Sequence, residues 1–258
     1  MKYETINYMV KDRVAWVTIN QAKKMNRLSN VVLQEITEVV KSADQDNDVK
    51  VLVISGSGEK AFCAGADLKS LMHDSILRSR ENLNYYAEMC LSFIRLGKPS
   101  ISMIRGFALA GGCGLAILPT FSIASEDAKL GLPEINVGMW PMMVMATLFR
   151  TVGKKKGLEL ICTGEIISAR EAERIGMITR AVPHDELENY VRELADELKG
   201  KSGSILRLGL EAYQNSVDME YLKAIGYLKD MAAIVSNTPD SQEGTAAFRE
   251  RRRPNWSS

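Results

Sequence analysis

Residues 101–118 read ISMIRGFALAGGCGLAIL, from Ile101 to Leu118. The β-branched start, Ile101 to Ile104, reads as a strand, and Leu115 onward is an apolar run of helical character. Between them stand Gly106, Gly111, Gly112 and Gly114. Glycines at a strand-to-helix passage permit unusual φ/ψ angles and a close approach of backbone to whatever lies opposite. A helix start also leaves its first N–H groups unpaired, with the positive end of the peptide dipoles. Two readings stay open here: tight strand-to-helix packing, or a backbone cradle for an anion. No Gly-Lys-Ser/Thr follows, so a phosphate-binding Walker loop is rejected.

Outward from this stretch, Val14–Ile19 (VAWVTI), Val51–Ser55 (VLVIS) and Phe121–Ala124 (FSIA) repeat the strand signal. Leu33, Ile36, Val40 and Ala43 recur at helical spacing, with Ser29 as a candidate N-cap. A second helical stretch runs from about Leu68 to Leu96 and is ended by Gly97 and Pro99. Strands separated by helices need crossovers, which predicts an α/β fold with a largely parallel sheet. After about residue 140 the chain reads as nearly all helix. Ser168 to Glu171 forms a capping-box pattern stopped by Gly176, Asp185 to Leu198 is an acidic amphipathic helix, and Thr238-Pro239 opens another. The predicted organisation is a strand-rich core over 1–183 and a helical region over 184–258.

Composition narrows the class of protein. The 258 residues carry 33 Lys+Arg against 32 Asp+Glu, a balance that argues against a dedicated nucleic-acid or membrane-surface binder. A chain of this length buries about 70% or more of its unfolded surface, so its core needs no staples. The four cysteines, Cys63, Cys90, Cys113 and Cys162, contain no CxxC pair and read as buried thiols of a reducing compartment. With only His73 and His184, a His-rich metal cluster is excluded and a Ser/His/Asp triad has no nucleophile elbow to serve. The N-terminus lacks the apolar stretch of a signal peptide, and no run of about 18 apolar residues occurs, so a cytoplasmic location without membrane attachment is expected. The basic runs Lys154–Lys156 and Arg249–Arg253 read first as solvated faces.

A second small-residue turn, Ala61-Phe-Cys-Ala64-Gly65-Ala66-Asp67-Leu68-Lys69, also lies between strand and helix. One such turn is weak evidence, but two in one α/β core are what an oxyanion hole needs, one N–H from each. These segments, AFCAGADLKSL, KPSISMIRGFALAGGCGLA and ASEDAKLGLPEINVGMWP, together with the ending SQEGTAAFRERRRPNW, resemble the enoyl-CoA hydratase/isomerase (crotonase) superfamily over essentially the whole chain. The resemblance implies a crotonase-like spiral of ββα units with a helical C-terminal trimerisation region, assembled as a homotrimer or as a hexamer of two trimers. It implies an acyl-CoA substrate, with coenzyme A entering as part of the thioester and no permanently bound cofactor. By position in the motifs, the N–H groups of Ala66 and Gly111 would hold the thioester oxygen. Lys23, Lys24, Met25, Ala64, Asp67, Leu68 and Lys69 fall where the family contacts CoA.

The carboxylates select the reaction. Glu134, in Gly131-Leu-Pro-Glu-Ile, falls where the family carries a catalytic glutamate, whereas without the motif it would read as a solvated helix-start residue. The hydratases resembled carry a second glutamate directly after Gly-Gly-Cys, and here that residue is Gly114. Adding water asks for two positioned proton-handling groups, while moving a β,γ double bond into conjugation can run on one. The resemblance therefore implies Δ3,Δ2-enoyl-CoA isomerisation. Two alternatives stand beside it: a hydratase with a different second group, on an unusual or cyclic enoyl-CoA, and a non-catalytic CoA- or RNA-binding member. Val137 to Met145, with four methionines, reads either as an acyl-chain wall or as plain core.

Overall fold

The computed structural model describes residues 3–67 and 75–257. In chain order the elements are β1 (Ile6–Lys11), β2 (Val14–Ile19), α1 (Asn30–Gln45), β3 (Val51–Gly56), β4 (Ala61–Cys63), α2 (Ile76–Ile94), β5 (Ser100–Ile104), β6 (Phe107–Leu109) and α3 (Gly111–Ile117). There follow β7 (Phe121–Ser125), β8 (Lys129–Gly131), a 3₁₀ turn (Pro133–Val137), α4 (Met142–Thr151), α5 (Lys154–Thr163), β9 (Ile166–Ser168), α6 (Ala169–Arg174) and β10 (Arg180–Val182). The chain closes with a 3₁₀ turn (His184–Glu186), α7 (Leu187–Lys199), α8 (Gly203–Ser216), α9 (Tyr221–Ser236) and α10 (Pro239–Glu250).

Two sheets organise these strands. The larger runs β1-β2-β3-β5-β7-β10 and the smaller β4-β6-β8-β9. Among the described residues, these strands pair in parallel except β1 with β2 and β8 with β9. The chain visits the large sheet, then the small one, then a helical segment, in β3/β4/α2, β5/β6/α3 and β7/β8/3₁₀. That repeated step is the ββα spiral expected.

Strand β3 reads as a continuous apolar run because both of its faces are covered. Leu52 and Ile54 join the main core with Ile36, Val40 and Ala43 of α1, whereas Val51 and Val53 join a second cluster with Leu187, Val191 and Ala195 of α7. Ser29 caps α1 by accepting the Val32 N–H at 3.3 Å, and Thr238 caps α10 by accepting the Ser241 N–H at 3.2 Å.

Several expectations are corrected. A strand, β1, precedes Val14, joined to β2 through Asp12 and Arg13 at φ 51° and 65°. Region 140–183 is not all helix, because β9 and β10 edge the two sheets. The helix expected from Leu68 begins, among the described residues, at Ile76; Leu68, Lys69 and His73 lie outside those residues. At α6 only half of the capping box forms: Ser168 accepts the Glu171 N–H, but Glu171 turns its carboxylate to Arg174. Cys63 and Cys113 are buried and Cys90 half-buried, but Cys162 is exposed. The basic runs are partly tied down, Lys156 by Glu159 and Glu171, and Arg252 by Glu243 and Glu250.

Candidate active site

Strands β4, β6 and β8 are parallel neighbours of three residues each. Neighbouring parallel strands end on the same side of a sheet, so the residues just beyond them are brought together whatever their separation in sequence. Ala66 follows β4 by three residues, Gly111 follows β6 by two, and Glu134 follows β8 by three. The three residues assigned by motif thus emerge from one sheet edge.

The backbone there has unspent donors. Leu28 pairs with the Ala66 segment through Leu28 N–H to Gly65 O at 2.9 Å and Asp67 N–H to Leu28 O at 3.3 Å, which leaves the Ala66 N–H facing away from the ladder. Ala110 donates to Gly131 O at 2.9 Å and accepts from Cys113 and Gly114, while Gly111 itself donates to nothing. Among the described residues, the N–H groups of Ala66 and Gly111 have no acceptor. The two segments touch: a Cβ at Gly65, whose φ is +93°, would lie 2.8 Å from Ala110 Cβ and 3.5 Å from Gly111 N. The chain enters α3 through Ala110 at φ 53°, ψ −129°, a conformation foreign to L-residues that needs support from its surroundings. Gly112 provides some, since a Cβ there would lie 2.2 Å from Cys63 O. Helix α3 is only seven residues long, so the Gly111 N–H, rather than a helix dipole, is what it offers.

Glu134 is the second residue of the 3₁₀ turn that Pro133 opens. Its Oε2 is buried and, among the described residues, has no hydrogen-bond partner. Burial pushes its carboxyl above the usual carboxylate range, which poises it to accept a proton nearer neutrality. Cys113 on α3 is pushed up to about 12, first by burial and then by the nearby Glu134 charge. Two N–H groups without an acceptor among the described residues and a carboxylate with one buried, unpartnered oxygen can together hold a developing oxyanion and move a proton beside it.

Other predicted residues surround this edge. Lys23 and Lys24 are exposed on a 3₁₀ turn, Met25 is half-buried at φ 55°, and Ala64 and Asp67 are half-buried. The Met25 carbonyl accepts the Ala64 N–H at 3.0 Å, so the lysine loop and the Ala64–Asp67 segment run side by side. Asn26 holds that loop: its amide donates to Ser57 O and Ala61 O, and its Oδ1 accepts from Gln21 N. Asn26 has no role in the sequence reading, and its full burial, visible only in the fold, is what reveals it. The methionine-rich stretch is not plain core, because Val137, Met139 and Met142 stand 60%, 39% and 66% exposed. His184 is distant in role, an exposed residue between Glu59 and Asp127.

The sequence model of the enoyl-CoA hydratase/isomerase family matches residues 10–258. The chain belongs to that family. As a member of the enoyl-CoA hydratase/isomerase family, it is 36% identical to a probable enoyl-CoA hydratase of Mycobacterium bovis over 258 residues, covering 99% of each chain. It is 34% identical to a crotonyl-CoA hydratase of Syntrophomonas wolfei, again over 99% of each. Its fold superposes on the crystal structure of an enoyl-CoA hydratase from Mycobacterium smegmatis with a TM-score of 0.95 at 28% identity, covering 99% of this chain and 100% of that one. Family membership makes this chain an enzyme of acyl-CoA chemistry. Among its described residues, no helix is long and apolar enough to cross a membrane.

Proposed function

We propose that this enzyme moves the double bond of an unsaturated acyl-CoA from the β,γ to the α,β position. Glu134 removes a proton from C2, the N–H groups of Ala66 and Gly111 hold the dienolate oxygen, and the same carboxyl returns the proton at C4. The base ends as it began, so no second carboxylate is required. Lys23 and Lys24 meet the CoA phosphates as mobile point charges, with Met25, Ala64 and Asp67 beside them and Lys69 and Leu68 assigned by motif alone. Coenzyme A enters as part of the substrate.

The observation that carries this reading is at Gly114. A Cβ there would lie 2.2 Å from the Tyr86 hydroxyl and 2.8 Å from Val144 Cγ2, so the space for a second glutamate is already filled. Incubation with 3-hexenoyl-CoA and, separately, with crotonyl-CoA tests it. Conjugation of the first should outpace hydration of the second; rapid hydration with negligible isomerisation would overturn the reading. A second reading, hydration with Glu134 and a non-carboxylate partner, is favoured by the names of the relatives, which are hydratases.

The filled space also yields a prediction for Gly114→Glu. On sequence grounds this variant would restore the missing carboxylate and with it water addition. With Tyr86 and Val144 in place, we expect instead no gain of crotonyl-CoA hydration and a loss of stability of about 1–3 kcal/mol from overpacking. Urea denaturation alongside the hydration assay checks both.

The C-terminal helices support self-association. Tyr213, Tyr221, Leu222, Ile225, Ile234 and Phe248 on α8–α10 are all more than half exposed, an apolar surface of the kind that subunits cover. A homotrimer or a dimer of trimers is the assembly proposed, and sedimentation velocity distinguishes either from a monomer.

A further inference from the structure

Tyr86 lies on α2, 25 residues before Gly111, and is 8% exposed. Its hydroxyl donates to the Gly111 carbonyl at 2.9 Å. The ring covers the first turn of α3 closely: a Cβ at Gly111 would lie 3.2 Å from Tyr86 Cε2, and one at Gly114 would meet the hydroxyl itself. Two missing side chains thus make the seat into which the phenol fits. Nothing in the single-base mechanism uses this group, yet it is the polar side chain bonded to the residue that supplies one of the two free N–H donors.

The Gly111 N–H lies in the peptide plane it shares with the Ala110 carbonyl, and how that plane sits relative to the next peptide is set by φ and ψ at Gly111, which no Cβ restricts. On one side, the Ala110 N–H is anchored to Gly131 O and the Ala110 carbonyl, in the same peptide as the Gly111 N–H, accepts from Cys113 and Gly114; on the other, Gly112 is seated on the Cys63 carbonyl. The peptide between them is held by the Tyr86 hydroxyl. A backbone carbonyl has two lone pairs, so Gly111 O accepts this bond in addition to the one a helix's first carbonyl takes from four residues on. We propose that Tyr86 is a positioning residue for the oxyanion hole, its O–H to the Gly111 carbonyl fixing the turn that aims the Gly111 N–H at the thioester oxygen. Burial and the nearby thiols hold the phenol well above its usual pKa, so it remains a donor across the working pH range. The proposal rests on reading Ala66 and Gly111 as the oxyanion donors.

Tyr86→Phe keeps the ring and removes only the hydroxyl. The expected result is a kcat for 3-enoyl-CoA isomerisation lowered about 10- to 100-fold with KM nearly unchanged, since misaimed donors cost transition-state rather than ground-state binding. A second readout needs no turnover. Acetoacetyl-CoA ionises to an enolate that absorbs in the near ultraviolet, and its apparent pKa on the enzyme reports how well the hole holds an oxyanion. That pKa should rise by about one unit in Tyr86→Phe, a tenfold loss of enolate stabilisation, and 3-fluorotyrosine at 86, which keeps the hydroxyl, should restore it. An unchanged kcat and enolate pKa in Tyr86→Phe, whatever the melting temperature, would reduce Tyr86 to packing and overturn the proposal. If instead wild-type enzyme leaves the pKa of acetoacetyl-CoA where it is in solution, the oxyanion reading itself fails.

Discussion

Glu134→Gln is expected to lower 3-enoyl-CoA isomerisation about 10²- to 10⁴-fold while leaving acyl-CoA binding largely intact. A positioned general base supplies an acceleration of that order, and the amide is close to the carboxylate in shape but cannot take the C2 proton. The wild-type rate should rise with pH, because the base works ionised. Its midpoint should lie above the ordinary carboxylate value, as burial has shifted Glu134 upward. The stability consequence has the opposite sign. A carboxyl whose folded pKa is raised contributes fully below its unfolded pKa, and that contribution is lost as pH rises through the folded value. At pH 7, therefore, the buried charge costs stability and Glu134→Gln should melt higher than wild type, the difference closing as the pH falls below the unfolded carboxylate pKa. Isomerisation rates and melting temperatures of the two proteins across pH check both signs. Retained turnover in the variant would remove Glu134 from the mechanism.

Gly65→Ala should be nearly as damaging without touching any side chain of the site. The native φ of +93° is one that alanine rarely adopts, and the added methyl would lie 2.8 Å from Ala110 Cβ and 2.9 Å from Leu109 O. Relief requires the loops after β4 and β6 to part, which carries the Ala66 and Gly111 N–H groups away from a common oxygen. Loss of one oxyanion donor costs about 10²–10³ in kcat, and that is the expected fall. Overpacking adds a destabilisation of about 1–3 kcal/mol. Circular dichroism at the assay temperature establishes that the variant is folded; near-normal kcat in a folded but less stable protein would argue that this pair of donors does not serve the reaction.

The parts of the site differ in how readable they were. Gly111 and Ala66 stand in glycine-rich passages whose composition already hints at exposed backbone, and Glu134 was recognisable through its motif. Nothing local marks Tyr86. It sits among Leu83, Tyr85 and Met89 in an ordinary helical pattern, and its partner is brought to it only when α2 folds over α3. Gly114 was legible as an absence, but whether its space was empty or filled depended on Tyr86 and Val144, from two other elements. The same contrast explains the missed short strands. β4, β6, β8, β9 and β10 are three residues each, too short for an alternating pattern to emerge from noise.

By itself, then, the sequence determined what short windows encode: the long apolar strands β2, β3, β5 and β7, the amphipathic α1 with its Ser29 cap, and the motifs of the enoyl-CoA hydratase/isomerase family. Local propensity and periodicity act over a few residues, and these features need no more. Tertiary structure alone decided that the ends of β4, β6 and β8 meet, that the Ala66 and Gly111 N–H groups stay unpaired among the described residues, and that a phenol stands where a side chain at 114 would begin. Each depends on pairing or packing between segments far apart in the chain, and those are set by the closure of the whole spiral.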